Sequence, residues 1–104
     1  MNILEQILDV KRKEMEHVHP SVSLLDPFKT INLKDALSAP GISVIAEIKM
    51  KSPSEGNISP NADPVQIARD YQSAGAQAIS VLTDEKFFGG NIGILETVKK
   101  AVSI

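Results

Sequence analysis

The segment VIAEIKMKSPSEG, residues 44–56, decides the fold because it combines the pattern of a buried strand with two internal charges. Its alternation predicts a strand over residues 43–49 with one apolar face and one mixed face. The apolar face holds Val44, Ala46 and Ile48, and the mixed face holds Ile45, Glu47 and Lys49. We expect helices to cover the apolar face, whereas the mixed face suits the polar end of a binding site.

A helix is predicted next, in the stretch DPVQIARDYQSAGA. Asp63 is a good N-cap, Pro64 suits the first helical position, and Gln66 is placed to close a capping box. Gly75 is a typical residue to end the helix.

A second strand is predicted in AISVLT, residues 78–83, whose nearly continuous apolar side chains indicate that both faces are covered. The two strands begin about 30 residues apart, which is the length of a βα unit, so we predict an α/β fold with parallel strands. After the loop DEKFFGG, another helix is predicted from Asn91. Its buried stripe is expected to hold Ile94, Leu95, Val98, Ala101 and Val102.

The N-terminal part is predicted to be helical. Apolar spacing indicates an amphipathic helix from Ile3 to about Val18, carried by Ile3, Leu4, Ile7, Leu8, Lys11, Met15 and Val18. The stretch HPSVSLLDPF, with two prolines, is interpreted as a connector. NLKDALSA predicts a second, shorter helix.

Composition excludes several classes of function. A net charge of −2 without a basic, aromatic-rich cluster gives no reason to expect nucleic acid. The absence of cysteine excludes disulfides and thiolate metal sites. His17 and His19 are better explained as a solvent-exposed pair than as metal ligands. No secretory signal and no apolar run of about 20 residues is present, so no membrane span is predicted and a cytoplasmic protein is expected.

The chemistry is expected at the carboxyl end of the first strand, where parallel α/β folds place ligands. Glu47 and Lys49 share a face there, although a solvated ion pair is an equally good reading of the spacing alone. In the turn SPSEG, Pro53 and Gly56 indicate a defined conformation. The serine hydroxyls are either ligands for a carboxylate or phosphate, or merely solvated.

The loop after the second strand holds Phe87 and Phe88, which either cap the core or line an aromatic pocket. Residues 84–86 are interpreted as a solvated charge run.

Taken together, VIAEIKMKSPSEG, DPVQIARDYQSAGAQAISVLTDEKFFGG and the front segment ILEQILDVKRKEM resemble the indole-3-glycerol phosphate synthase family over nearly the whole chain. The resemblance implies a (β/α)8 TIM barrel with an N-terminal helical extension, here residues 1–40, and the first two βα units, residues 41–104. It also implies tryptophan biosynthesis: 1-(2-carboxyphenylamino)-1-deoxyribulose 5-phosphate closes its ring and loses CO2 and water. No metal or organic cofactor is implied.

Site residues follow from the same resemblance. Lys49 matches a residue that contacts anionic substrate groups and donates a proton, and Glu47 matches one that holds this lysine and assists dehydration. Ser52 matches a residue that hydrogen-bonds the substrate. The pocket for the anthranilate ring is implied to be lined by Pro53, Leu82 and Phe88.

The sequence departs from the family pattern at Glu55, where lysine is common, and at Gly90-Asn91, where Gly-Ser is common. A barrel of this type needs roughly 200 or more residues, so we expect an N-terminal portion that is inactive alone. Its full-length enzyme is expected to be a monomer or fused to other tryptophan-pathway domains. Two alternatives remain: another phosphosugar-handling barrel enzyme, such as an isomerase or thiazole-type synthase, and a non-catalytic fragment that self-associates through strand edges.

Overall fold

A computed structural model describes residues 1–18, 30–58 and 61–104 of the chain. The predicted connector after the first helix, including His19, lies outside these described residues. The helices and strands follow the predicted order, with one additional pair of short strands. The helices are α1 (Ile3–Met15), α2 (Leu33–Leu37), α3 (Pro64–Ser73) and α4 (Ile92–Ala101), and the strands are β1 (Ile45–Ile48), β2 (Lys51–Ser52), β3 (Gly56–Asn57) and β4 (Ala78–Val81).

The main sheet consists of β1 and β4, which pair in parallel as predicted. Ile45 lies opposite Ala78, and Ile48 lies opposite Val81. The chain passes through α3 between the two strands, and α3 packs against both strands and against α4. The described part of the chain is therefore a small α/β unit whose two-stranded sheet does not close into a barrel.

The core lies on the face of the sheet that α3 and α4 cover. Its buried centre is formed by Ile48, Ala68 and Val98. Ile48 is 2% exposed, whereas Ile45 on the opposite face of β1 is 53% exposed. The predicted division is thus confirmed for Ile48 and Ile45, whereas Val44, predicted on the covered face, precedes β1 and is 51% exposed. In contrast to the prediction that both faces of β4 are covered, all four of its residues are only half-buried.

The ends of α3 lie where the sequence predicted them. The Asp63 carboxylate accepts a hydrogen bond from the Val65 N–H at 3.0 Å, which satisfies a donor of the first turn. The helix ends just before Gly75, whose φ of +98° few other residues adopt. The side-chain amide of Gln66, predicted to close a capping box, donates along the helix to Asp70 at 2.9 Å.

The turn after β1 forms a small antiparallel hairpin that the sequence did not predict. Lys51 pairs with Asn57, and Ser52 pairs with Gly56. Gly56 has a φ of +64°, so the glycine expected to give this turn its conformation does adopt a left-handed one. Strands of two residues are too short to show periodicity, which explains why only a turn was predicted.

Helix α1 lies against the rest of the molecule without burying any of its residues. It begins with a reciprocal capping box: Asn2 accepts from the Glu5 N–H at 2.9 Å, and Glu5 accepts from the Asn2 N–H at 3.0 Å. It ends at Met15, short of the predicted Val18. Within the described ranges, the helices are too short to cross a bilayer.

Candidate active site

The carboxyl ends of β1 and β4 are adjacent, so the segments that follow them meet. Glu47 lies opposite Ser80 in the parallel ladder. Beyond the strands, the Lys51 N–H donates to the Phe88 carbonyl at 3.2 Å and ties the hairpin to the β4–α4 loop. This is the edge at which parallel α/β folds bind ligands.

Glu47 projects from the open face of β1 and is held by the neighbouring strand. Its Oε1 accepts a hydrogen bond from the Ser80 hydroxyl at 3.3 Å. Its backbone carbonyl accepts from the Tyr71 hydroxyl at 3.1 Å. The side chain is exposed, so its charge is hydrated and its burial cost is avoided.

Lys49 is also exposed, at the end of the same face. Within the described ranges it forms no ion pair with Glu47. The predicted contact between the two charges is therefore not made in this structure, although both lie at the same edge of the sheet. An exposed ammonium at this place can bind an anionic ligand directly.

Ser52 is buried, with 7% of its surface exposed. Its Oγ accepts the Glu55 N–H at 3.2 Å and lies 3.3 Å from the Ser54 hydroxyl. These bonds stabilise the hairpin turn. The Ser52 hydroxyl can still donate one hydrogen bond, to Ser54 or to a ligand in its place.

An apolar cavity of about 430 Å³ opens beside this turn. Three segments of the chain supply its walls: α1, the hairpin turn and the β4–α4 loop. The lining residues are Ile3, Ile7, Pro53, Ser54 and Phe88. Two residues predicted to contact an aromatic ring, Pro53 and Phe88, thus line one cavity whose composition suits such a ring.

Leu82, the third residue predicted for the aromatic pocket, does not line this cavity. It is half-buried, and its N–H donates to the Ile48 carbonyl at 3.2 Å, which continues the parallel ladder. Its own carbonyl lies so close to Gly90 that any side chain at position 90 would overlap it. Leu82 therefore fixes the backbone of the loop.

Asp84 is a site residue that the sequence analysis missed. Interpreting residues 84–86 as solvated charges is wrong for Asp84, whose side chain is 12% exposed. One carboxylate oxygen pairs with the Lys11 ammonium of α1. The other accepts the N–H groups of Phe87 at 2.7 Å and Phe88 at 3.2 Å. The partner on α1 is distant in sequence, so no local signal indicates this contact.

The electrostatics of the pair follow from this geometry. Burial raises the pKa of the Asp84 carboxyl, but hydrogen bonds from Lys11, Phe87 and Phe88 outweigh that effect, so the net pKa lies below its usual value. Hydrogen bonds to Asp84 and then Glu14 raise the pKa of Lys11 above 10.5. Both groups are therefore charged at neutral pH.

Within the described ranges, no three His, Cys, Asp or Glu residues come together as a metal would require. His17 is exposed just beyond the end of α1. His19, the other member of the predicted solvent-exposed pair, lies outside the described residues.

Comparison with known proteins identifies relatives over almost the whole chain. Residues 4–104 match the family model of indole-3-glycerol phosphate synthase. The chain is 45% identical to the indole-3-glycerol phosphate synthase of Geobacillus sp. (strain WCH70) and 47% identical to that of Geobacillus thermodenitrificans, each over 98% of this chain. The enzyme of Acaryochloris marina is 42% identical over 99% of the chain. The chain spans about 40% of the length of the two Geobacillus relatives.

Proposed function

The chain belongs to the indole-3-glycerol phosphate synthase family, and from this premise we propose that it supplies the N-terminal part of a (β/α)8 barrel that makes indole-3-glycerol phosphate. The substrate is 1-(2-carboxyphenylamino)-1-deoxyribulose 5-phosphate, which closes its ring and loses CO2 and water. Residues 1–40 form the helical extension and residues 41–104 the first two βα units. The remaining βα units, which correspond to the rest of the relatives' length, are needed for turnover.

The observation that carries this proposal is the apolar cavity at the carboxyl ends of the two parallel strands. Pro53 and Phe88 reach it from the loops after β1 and β4, and Ile3 and Ile7 reach it from α1. An anthranilate ring is flat and largely apolar, and a cavity of this kind with charges nearby suits it. TIM-barrel enzymes build their sites at this same end of the strands.

The residue roles in the proposal follow from position and charge. Lys49 neutralises an anionic group of the substrate and donates a proton, since an exposed ammonium at the strand end can do both. Glu47 orients Lys49 once substrate and the remaining strands are present, and assists dehydration as a base. Ser52 hydrogen-bonds the substrate, and Pro53 and Phe88 contact the ring. Leu82, which does not line the cavity in this structure, joins them once the remaining strands are present.

The setting of the activity is part of the same proposal. We place the assembled enzyme in the cytoplasm, as a monomer or fused to other domains of tryptophan biosynthesis. The family match favours this function over another phosphosugar-handling barrel enzyme.

The test is complementation. The chain is mixed with the C-terminal portion of the Geobacillus thermodenitrificans enzyme, which begins after the residues matched here, and indole fluorescence is followed with the natural substrate. Neither part alone is expected to convert the substrate, whereas the mixture is expected to produce indole-3-glycerol phosphate. Sedimentation analysis confirms assembly of the two parts. An assembled but inactive mixture contradicts the proposal.

A second candidate function, self-association without catalysis, is favoured by one observation. Apolar side chains in and before β1 are exposed: Ile42 by 92%, Val44 by 51% and Ile45 by 53%. Open strand edges and apolar surface promote pairing between copies. Oligomers that form with rising protein concentration, and whose formation does not change when substrate is added, support self-association over the enzymatic function.

A further inference from the structure

One face of α1 carries two apolar residues and one charge at helical spacing. Ile3, Ile7 and Lys11 are each four residues apart, so they lie above one another on the helix. Ile3 and Ile7 line the apolar cavity. Lys11, one turn further, pairs with Asp84 in the β4–α4 loop. The charged end of this face is therefore attached to the loop that supplies the opposite wall.

Asp84 links both walls of the cavity through a single carboxylate. One oxygen binds Lys11, and the other accepts the N–H groups of Phe87 and Phe88. Phe88 itself lines the cavity. The carboxylate therefore fixes the backbone that carries the aromatic wall and, through Lys11, the helix that carries the aliphatic wall.

We propose that the Lys11–Asp84 ion pair is a positioning contact that sets the width of this cavity, so that an aromatic carboxylate binds tightly only when the pair is intact. The identity of this ligand class rests on the proposed function. The coupling between the ion pair and the distance between the two cavity walls does not. Neither residue touches the ligand in this proposal. Both act through the position of α1 and Phe88.

The physical reason is that α1 has few other means of staying in place. None of its residues is buried, so little apolar contact holds it. Without Lys11, the largely buried carboxylate of Asp84 lacks its charged partner. Its free energy then falls if it moves towards water, which hydrates the charge. That movement draws the turn with Phe88 away from Ile3 and Ile7.

The test compares Lys11→Met with a matched control. Lys13→Met makes the same change two residues later, where the ammonium pairs with Asp9 inside α1 at 3.0 Å and is 71% exposed. Lys11→Arg keeps the cation and should retain the ion pair with Asp84. Asp84→Asn keeps an acceptor for the loop but loses the charge, so it should resemble Lys11→Met, and the double variant should be no worse than either single one.

Two measurements on the full 104-residue chain provide the result. Nuclear Overhauser effects between the Ile7 methyl groups and the Phe88 ring report whether the two walls stay together. Fluorescence titration with anthranilate reports binding in the cavity. We expect Lys11→Met to weaken the Overhauser effects and raise the anthranilate Kd about fivefold, which corresponds to about 1 kcal/mol. Lys13→Met and Lys11→Arg should stay near wild type.

Each outcome is decisive for one proposal. Undiminished Ile7–Phe88 Overhauser effects in Lys11→Met overturn the positioning role. An equal loss in Lys13→Met also overturns it, because the effect would then be general to α1. If the Overhauser effects follow the ion pair but wild type binds no anthranilate, the coupling is supported, and the proposed function loses support.

Discussion

Glu47 shows how a strand in a small α/β unit accommodates a charge. Its side chain leaves the open face of β1, where water solvates it, while Ile48, the next residue, enters the core. The alternation of the strand separates the two environments within one residue step. The hydrogen bond from Ser80 limits the orientations of the carboxylate, and its exposure means that the charge occupies this position without a cost in burial.

Replacing Glu47 separates its charge from its structural contact. In Glu47→Gln the amide oxygen can still accept the hydrogen bond from Ser80, so we expect the unfolding free energy to change by less than about 0.5 kcal/mol. The lost carboxylate should lower the kcat of the complemented enzyme by about 100-fold or more, as loss of general acid–base catalysis does. Urea unfolding and the indole fluorescence assay measure the two effects.

Ser80→Ala is the matched control for this experiment. It removes the hydrogen bond but keeps the carboxylate, so it should reduce kcat much less than Glu47→Gln. A complemented Glu47→Gln enzyme with the wild-type rate would show that the charge at this position is not used.

At the level of single residues, the sequence predicts what depends on local pattern. The period of two places Ile48 on the covered face, and the side chain of Asp63 bonds within its own turn, so both positions follow from local pattern. The interpretation of Asp84 as solvated is wrong because its partner, Lys11, approaches only in the folded chain. Lys11 lies on the apolar stripe of its helix, and the ion pair explains why a charge occupies that place.

At the level of elements, the start of α4 explains why the chain tolerates its departure from the family pattern. Asn91 caps α4 by accepting the Ile94 N–H at 2.9 Å. Serine, which the family resemblance implies at this position, caps helices about equally well. We therefore expect Asn91→Ser to be neutral, whereas Asn91→Ala should lower the unfolding free energy by about 1 kcal/mol. Urea denaturation followed by circular dichroism measures both, and equal stability of all three proteins contradicts a capping role.

The docking of α1 through Lys11 and Asp84 should depend on pH. The pKa of Asp84 is lowered by folding, so its contribution is present above the ordinary value of 3.8 and is lost as pH falls through the folded value. The pKa of Lys11 is raised, so its contribution is present below 10.5 and is lost as pH rises through the folded value. The pair therefore stabilises the fold across the neutral range and fails at both extremes.

The measurement compares unfolding free energies of wild type and Lys11→Met at about pH 3, 7 and 11. Lys11 is 38% exposed, so water screens the pair and the difference at neutral pH should not exceed about 1 kcal/mol. This difference should shrink at both extremes, while Lys13→Met should show a smaller difference at neutral pH. A difference that does not vary with pH would assign the effect of Lys11 to packing.

The elements themselves were predicted to different degrees for physical reasons. The helices carry caps and a period near 3.6, and the parallel strands carry alternation or dense β-branched residues, so their order follows from the sequence. The hairpin of β2 and β3 has two residues in each strand, which is too few to show a period. Its existence depends on tertiary contact, including the bond from Lys51 to Phe88.

At the level of the whole molecule, the open face of the sheet lacks a layer that covers it. Helices cover one face of β1 and β4, while Ile45 and Glu47 on the other face are exposed. Parallel sheets are usually covered on both faces. In the proposed barrel this open face points inwards, where side chains from other strands would cover Ile45 and leave Glu47 at the mouth.

This placement predicts that Ile45 matters for assembly more than for the stability of the chain itself. Ile45→Ser should change the chain's own unfolding free energy by less than about 1 kcal/mol because the side chain is already half exposed. It should weaken association with the C-terminal portion of the Geobacillus thermodenitrificans enzyme about tenfold, which corresponds to about 1.4 kcal/mol and is in the range for burying an aliphatic side chain.

Ile42→Ser is the control because Ile42 precedes β1 and lies outside the β1–β4 ladder, so it should leave association with the C-terminal portion unchanged. Sedimentation equilibrium of each variant, alone and with the C-terminal portion, separates the two candidate functions. If Ile45→Ser weakens only the mixed complex, the open face is the contact surface of a barrel. If Ile45→Ser instead dissociates oligomers of the chain alone and leaves the complex with the C-terminal portion unaffected, the open face pairs copies of this chain. The two results exclude each other because Ile45 cannot be covered by a second copy and by the C-terminal portion at once.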